Sequence, residues 1–172
     1  FIADYDGFIG LFPTGAEQDE LPVFVYDQRD ASIWGFEGRA ERGLGTSGNW
    51  DFRGEVTVEY VRGELDSGGN LPRIPPLGLS ALVEAERDFV TGHLEVVWVA
   101  EQDEFASFEL PTDSYTLLNA QAVFRPVADR DVRLILEARN LTDEEARLHT
   151  SFLKDLLPLP GRNFRAALSV AF

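Results

Sequence analysis

Cysteine and methionine are both missing from this chain of 172 residues. Without cysteine, the chain has no disulfide framework, no thiolate nucleophile and no cysteine-ligated zinc or iron–sulfur site. Because methionine is absent as well, we expect the sequence to begin partway through a longer gene product, and it shows no signal peptide. The composition, 44% hydrophobic and 26% charged, is that of one folded unit over residues 1–172.

Positive charge is scarce too, since 15 basic side chains stand against 30 acidic ones and the formal net charge is −15. This excess repels nucleic-acid phosphates and anionic lipid headgroups, so we expect no electrostatic docking onto either and no nucleic-acid partner. Long apolar runs are absent, the longest being residues 96–100, so no helix can span a bilayer. A transmembrane β-strand needs only about 9–11 residues with one apolar face and remains possible.

Recognisable catalytic and cofactor motifs are absent as well. The sequence contains no Gly-x-Ser-x-Gly, no glycine-rich phosphate loop and no His-Glu-x-x-His. Carboxylates are so numerous that no acid–base pair stands out. We therefore expect neither enzymatic activity nor a bound cofactor.

Apolar and polar side chains alternate along much of the sequence, with the period of two residues that is typical of a β-strand. In the last segment Phe164, Leu168 and Val170 lie on one face, while Asn163 and Arg165 lie on the other. The same alternation predicts eight strands, at residues 1–11, 34–41, 50–60, 79–86, 94–101, 118–125, 132–139 and 163–172.

The connections between these strands alternate in length. Short turns are predicted near residues 45–49, 90–92 and 126–129, and long loops near 13–28, 66–76, 103–113 and 141–161. Hairpins with every short turn at one end describe an all-β, antiparallel up-and-down sheet. In outer-membrane barrels the short turns face the periplasm and the long loops face outside.

Alternation alone does not say which face points inward, because a soluble, lipocalin-like barrel would place the apolar face inside. Three features favour a membrane barrel: the aromatic residues Trp50, Phe89 and Tyr60 near strand ends, charges of both signs on the other face, and the terminal Phe172. The charged face would then line a wet lumen through cross-strand ion pairs. The candidates for lumen-facing side chains are Glu95, Glu101, Arg133, Glu137, Arg139 and Arg165.

The last third of the chain carries more specific motifs. They are Glu-Leu-Pro-Thr-Asp-Ser-Tyr at 109–115, Ala-Arg-Asn-Leu-Thr-Asp at 138–143, Ala-Arg-Leu-His-Thr-Ser-Phe-Leu-Lys-Asp at 146–155 and Pro-Leu-Pro-Gly-Arg-Asn-Phe at 158–164. Together with Phe172 and weaker echoes at 35–37 and 70–76, this combination resembles the C-terminal end of TonB-dependent outer-membrane receptors.

The resemblance implies about eight strands of a transmembrane β-barrel of about 22, which we expect to form an open sheet with unpaired first and last strands. It implies a Gram-negative outer-membrane importer of a scarce nutrient, most often a metal chelate such as a ferric siderophore. The implied partners are the lipid bilayer, TonB acting through a region outside this chain, and the outer-membrane assembly machinery, for which Phe172 resembles the recognition signal. The plug domain of the family is absent from this chain.

A self-contained eight-stranded barrel that binds a small ligand, in a membrane or in solution, stays open as the alternative, because eight strands can close. A soluble interaction domain is the third hypothesis.

His149 is the one weak candidate for a metal ligand. Acidic residues share its predicted loop, and imidazole with carboxylates suits zinc. Within the motif of the family, however, this histidine helps to fold the loop, so we expect no resident metal. The acidic stretch 101–104, with Glu109 and Asp113, is interpreted either as solvated surface or as an attractor of a cationic or metal-chelate substrate.

Four further residues are interpreted as structural. Asn140 ends a strand and can bond its own backbone to start a turn, Gly161 supplies backbone freedom, and Pro158 and Pro160 stiffen the return. His93 is interpreted as a solvated polar residue at a short turn.

Overall fold

A computed structural model describes residues 1–126 and 132–171 of the protein. The predicted short turn at 126–129 lies almost wholly outside the described residues, and Phe172 lies entirely outside them. The strands are β1 (Ile2–Gln18), β2 (Leu21–Ser47), β3 (Trp50–Leu65), β4 (Gly78–Arg87), β5 (Val90–Val99), β6 (Tyr115–Phe124), β7 (Val132–Arg139) and β8 (Asn163–Val170). None of the described residues belongs to a helix long and apolar enough to cross a membrane.

All eight strands belong to one sheet, in which each strand pairs antiparallel with the next along the chain. The predicted all-β, up-and-down fold is therefore confirmed. Within residues 1–126 and 132–171, β1 and β8 do not pair with each other, so the sheet is open, as expected.

The first two strands are much longer than predicted, and the long loop expected at 13–28 is wrong. Those residues continue β1 and β2 to a tight turn at Asp19 and Glu20, whose φ angles are 53° and 66°. The Thr14 hydroxyl donates to the carbonyl of Val23 at 2.9 Å. The β1–β2 hairpin extends roughly 40 Å beyond Trp34, because a strand rises about 3.3 Å per residue.

The two faces of the sheet differ in exposure, which identifies the inner face. In the central strands Leu94 and Leu136 are 50% and 41% exposed, whereas the side chains of Glu84 and Glu137 are 23% and 15% exposed. Because side chains converge on the inner face of a curled sheet, we assign the polar face to the inside. This orientation is the one expected for a membrane barrel and is opposite to that of the lipocalin-like alternative.

Aromatic side chains mark both ends of the apolar band. At the long-loop end the Tyr60 ring packs against Trp34 and Phe36, with centroids 5.4 and 5.8 Å apart. At the short-turn end the Arg87 guanidinium lies 5.9 Å from the centroid of Trp50. The stretch of β3 from Trp50 to Tyr60 matches the about 9–11 residues of a transmembrane strand. The tryptophan and tyrosine thus lie where aromatic girdles lie in membrane barrels.

A small apolar core lies beyond the long-loop girdle. Phe12, Ala31, Leu65 and Leu71 are buried there, and Phe108 packs against them. The core joins the β1–β2 hairpin to the loops after β3 and β5, so the outer part of the protein is held by its own packing.

Gly35 is buried on the inner face, where a larger residue does not fit. Its amide donates to the Phe1 carbonyl at 3.0 Å, and a methyl group would overlap the Tyr60 carbonyl oxygen and the Phe1 ring. We predict that Gly35→Ala lowers the free energy of unfolding by about 1–3 kcal/mol, the usual range for overpacking. Denaturant unfolding of the complete protein in detergent measures the change.

Gly43→Ala is the matched control, because a methyl group at Gly43, on the same strand, meets open space and the backbone is not strained. Equal midpoints for the two variants would contradict the prediction.

Candidate functional site

A line of polar side chains crosses the inner face of the sheet, with one residue from each of seven strands. We call it the polar row. From β2 to β8 its members are Glu41, Arg53, Glu84, His93, Gln121, Glu137 and Arg165. From β3 onward each member lies directly opposite the next in the strand register. Residues opposite one another across strands are close enough for their side chains to interact.

The first half of the row consists of two ion pairs and a carboxylate–imidazole contact. Arg53 Nε lies 3.3 Å from Glu41 Oε1, and its Nη1 lies 3.8 Å from Glu84 Oε1. Glu84 Oε2 is in turn 2.7 Å from His93 Nε2. A single arginine therefore connects carboxylates on both neighbouring strands.

The second half continues through an amide. His93 Nδ1 is 3.2 Å from Gln121 Oε1, and Gln121 Nε2 donates to Glu137 Oε1 at 3.0 Å. Arg165 closes the line, 3.5 Å from Glu137. The interpretation of His93 as a solvated turn residue is wrong. The turn lies earlier, where Asp88 adopts a φ of 44°, and His93 is a half-buried residue of β5.

The predicted lumen candidates fall into two groups. Glu137 and Arg165 belong to the polar row, and Arg133 lies on the same face of β7 as Glu137. Arg139 Nη2 is 4.0 Å from Glu137, and Glu95 accepts a hydrogen bond from Asn119 at 2.9 Å. Glu101 differs, because β5 ends at Val99 and Glu101 lies in the following loop. That these side chains face a lumen in the complete barrel stays a prediction.

The sequence alone does not indicate that Glu84, His93 and Gln121 are neighbours. Their positions on the polar face could have been found from the alternation, but their contacts depend on strand register. Beside the row a recess of about 170 Å³ is lined by His93, Glu95, Asn119, Gln121, Glu137 and Arg139. The chemistry of this surface is to hold water or polar groups by hydrogen bonds.

The described residues contain no group of three or more histidine and carboxylate side chains placed to hold a metal. The charged members of the polar row instead pair with one another across strands.

A second polar site lies where three long loops meet, at residues 66–77, 100–114 and 140–162. We call it the loop junction and define it by Arg73, Glu109, Thr112, His149 and Lys154. The Glu109 carboxylate accepts hydrogen bonds from the Arg73 amide at 3.2 and 3.1 Å, and Lys154 Nζ lies 3.4 Å away. Both charged side chains are at least nine-tenths buried. Glu109 is therefore part of an internal ion pair. It belongs neither to a solvated surface nor to a group that attracts a cationic substrate.

His149 is enclosed in the same junction. Its Nδ1 is 3.0 Å from the Thr112 hydroxyl, and Lys154 Nζ is 3.3 Å from its Nε2. Burial lowers the pKa of His149, and the Lys154 ammonium lowers it further, against opposing effects of Glu109 and Asp155. An ammonium group against the ring leaves poor room for a metal cation, so the geometry favours the loop-folding interpretation of His149.

Asn140 and Gly161 shape the last loop, in ways that differ in part from expectation. Asn140 has a φ of 50° and is buried, and its side chain bonds the backbones of Glu144 and Pro160 rather than its own. Gly161 has no positive φ. It provides space instead, because a methyl group there would lie 2.9 Å from the Asp143 carboxylate, which accepts from the Arg162 amide.

Comparison with known proteins gives three findings. A family model described as "TonB dependent receptor-like, beta-barrel" matches residues 1–141. A search of curated protein sequences finds no match. Among solved structures, the chain is similar to that of "Copper transporter OprC", with a TM-score of 0.83 and 22% identity over 99% of this chain and 27% of that chain. At this identity the likeness shows the fold, and the chain spans about a quarter of that structure.

We predict that Glu84 and His93 are energetically coupled. A double-mutant cycle with Glu84→Ala and His93→Ala should give a coupling free energy of about 1 kcal/mol or more, because the pair is 2.7 Å apart and half-buried. Denaturant unfolding of the complete protein measures it. Asp27 and Arg29, which are 3.1 Å apart, more exposed and outside the row, form the control cycle, with an expected coupling near zero. Equal couplings in the two cycles would argue against a structural role for the row.

We also predict that zinc does not bind at His149. Calorimetric titration of the complete protein with Zn²⁺ near pH 7 should give the same isotherm before and after His149→Ala, because the Lys154 ammonium already lies within 3.5 Å of both ring nitrogens. Loss of a saturable site in the variant would restore the metal-ligand hypothesis.

Proposed function

Since the chain belongs to the family of TonB-dependent receptor β-barrels, we propose that it supplies part of the wall and outer loops of an active importer. The family places the protein in the outer membrane of a Gram-negative cell, where β2 to β8 cross the bilayer and β1 lies beyond the long-loop girdle. The role of these residues is then transport rather than catalysis.

The observation that carries the proposal is the separation of the two faces of the sheet. Apolar side chains cover the exposed face between two aromatic girdles, and the polar row crosses the other face on seven consecutive strands. Such a wall suits hydrocarbon on one side and a hydrated lumen on the other. We assign lumen lining to the polar row and to Glu95, Arg133 and Arg139.

The energy for import and the assembly of the barrel depend on partner proteins. We propose that TonB energises import through a region outside this chain and that the outer-membrane assembly machinery recognises the terminal strand with Phe172. Both assignments rest on family membership and on the resemblance of the C-terminal motif.

For the cargo we propose a metal ion or a metal chelate. The segments beyond the long-loop girdle, residues 1–33, 62–77, 100–114 and 140–162, carry 18 acidic and 6 basic side chains, a net charge of −12 out of −15. A surface of one sign raises the local concentration of ligands of the opposite sign. A positively charged metal species therefore fits better than an anionic one, and a ferric siderophore fits if its complex is not anionic. The similar solved structure is that of a copper transporter, which agrees with a metal cargo.

Uptake in cells tests the proposed function. The complete gene is expressed in Gram-negative cells that lack their own metal receptors, and accumulation of metals is measured with and without a functional TonB. We expect TonB-dependent accumulation of at least one metal. Equal accumulation in both strains, for every metal and chelate supplied, would refute the proposal.

Charge reversal tests the steering of the cargo. We predict that Glu101→Lys with Asp103→Lys lowers the initial uptake rate of Cu²⁺ by about 3–10-fold at low ionic strength, because the long-range field weakens. Uptake of anionic ferric citrate should not fall. The control reverses the same charge at the short-turn end, with Asp51→Lys and Glu86→Lys, and should leave Cu²⁺ uptake unchanged. Equal effects of the two double variants would rule out steering by the outer loops.

A further inference from the structure

The loop junction connects three loops that are far apart in the sequence. Glu109 contributes from the loop after β5, and Lys154, 45 residues later, from the loop after β7. The loop after β3 enters through the Arg73 amide, and the Arg73 guanidinium lies 4.0 Å from the centroid of Phe152. Outside the membrane band these contacts fasten the loops to one another, so the junction decides whether they behave as one unit.

The contact of Lys154 with His149 makes the junction depend on the charge of the imidazole. Lys154 Nζ lies 3.3 Å from Nε2 and 3.5 Å from Nδ1. Because Nδ1 also faces the Thr112 hydroxyl at 3.0 Å, a neutral imidazole can interact with that hydroxyl and still accept a hydrogen bond from the ammonium at Nε2. The neutral ring therefore stabilises the buried cation. A protonated ring would place two positive charges in contact within a buried site.

The other charges around His149 do not remove this conflict. Glu109 Oε2 lies 3.9 Å from His149 Nε2, but it already pairs with Lys154 and accepts the Arg73 amide. Asp155 favours the protonated ring only from its exposed position in the same loop. Burial and Lys154 outweigh both carboxylates, so the pKa of His149 is lowered.

We propose that the loop junction is an acid-sensitive clasp, which holds the three outer loops together at neutral pH and releases them when His149 is protonated. This goes beyond the proposed import function, because it concerns how the loops respond to the medium whatever the cargo.

The sign of the effect follows from proton linkage. A histidine whose pKa is lowered by folding binds fewer protons in the closed junction than in the open one, so closure is favoured above the ordinary pKa of about 6.5. As the pH falls from about 6.5 through the lowered pKa, that stabilisation is lost. Opening should increase by up to about tenfold for each pH unit across this interval.

Hydrogen–deuterium exchange of the complete protein in detergent, at pH 7.5 and 5.0, tests the clasp. After correction for intrinsic exchange, amides of residues 100–114 and 140–162 should exchange faster at pH 5.0, while those of β4 and β5 should not. His149→Gln removes the titrating group and should abolish the pH dependence. His93→Gln is the matched control, because it removes the other histidine of this chain and should leave the pH dependence intact.

Lys154→Met provides a second readout that depends on sign. Without the ammonium, Glu109 and Asp155 favour the protonated ring against burial alone, so the loss of protection at pH 5.0 should disappear or reverse. An abolished or reversed dependence in this variant supports the clasp. An unchanged dependence in either Lys154→Met or His149→Gln, or no dependence in the parent protein, overturns it. If His149→Gln leaves the loops unprotected at pH 7.5, the pH dependence of amide protection in Lys154→Met decides whether the proposal holds.

Discussion

Hydrocarbon offers no hydrogen-bond partners, so every backbone amide and carbonyl within a bilayer must find one in the protein. This constraint explains the sheet, in which each strand pairs with the next and no helix replaces a strand among the described residues. It extends to the outer edge of β8 and to that of β2 over residues 36–47, where β1 does not pair with it, and both edges need neighbours in the complete wall. It also requires an apolar exposed face, and the alternation of side chains along each strand then places most polar side chains on the inside, with exceptions such as Arg42 and Thr116.

The inner face and the outer loops use charge differently. In the wall, charged groups alternate along the polar row and largely neutralise one another. The exposed pairs of the row, such as Arg53 with Glu41, add little stability. Glu137 is the less exposed member of its pair with Arg165. In the outer part, acidic groups are in large excess, and the few basic groups are committed to contacts such as that of Lys154 with Glu109. A buried pair of this kind is weak evidence for stability, but it favours one arrangement of the loops over others.

Strand positions in the wall could be predicted closely. Residues 132–139 were expected to form a strand and form β7, and residues 79–86 were expected and lie within β4. The prediction failed at 13–28, because a hairpin outside the membrane has no single apolar face to reveal its period. His93 was misplaced for another reason: the sequence Thr-Gly at 91–92 is typical of a turn, but Asp88 takes the left-handed conformation and the turn comes earlier.

By itself the sequence determined the fold class, the apolar and polar faces, and the family. Alternation and short motifs are local patterns, so they can be recognised without knowing which residues are in contact. The tertiary structure decided which side chains meet. Glu84, His93 and Gln121 became neighbours only through strand register, and His149 met Thr112, 37 residues earlier, only when two loops came together. Such contacts join residues far apart in the chain, and the geometry that unites them is set by pairing and packing, which no local pattern records.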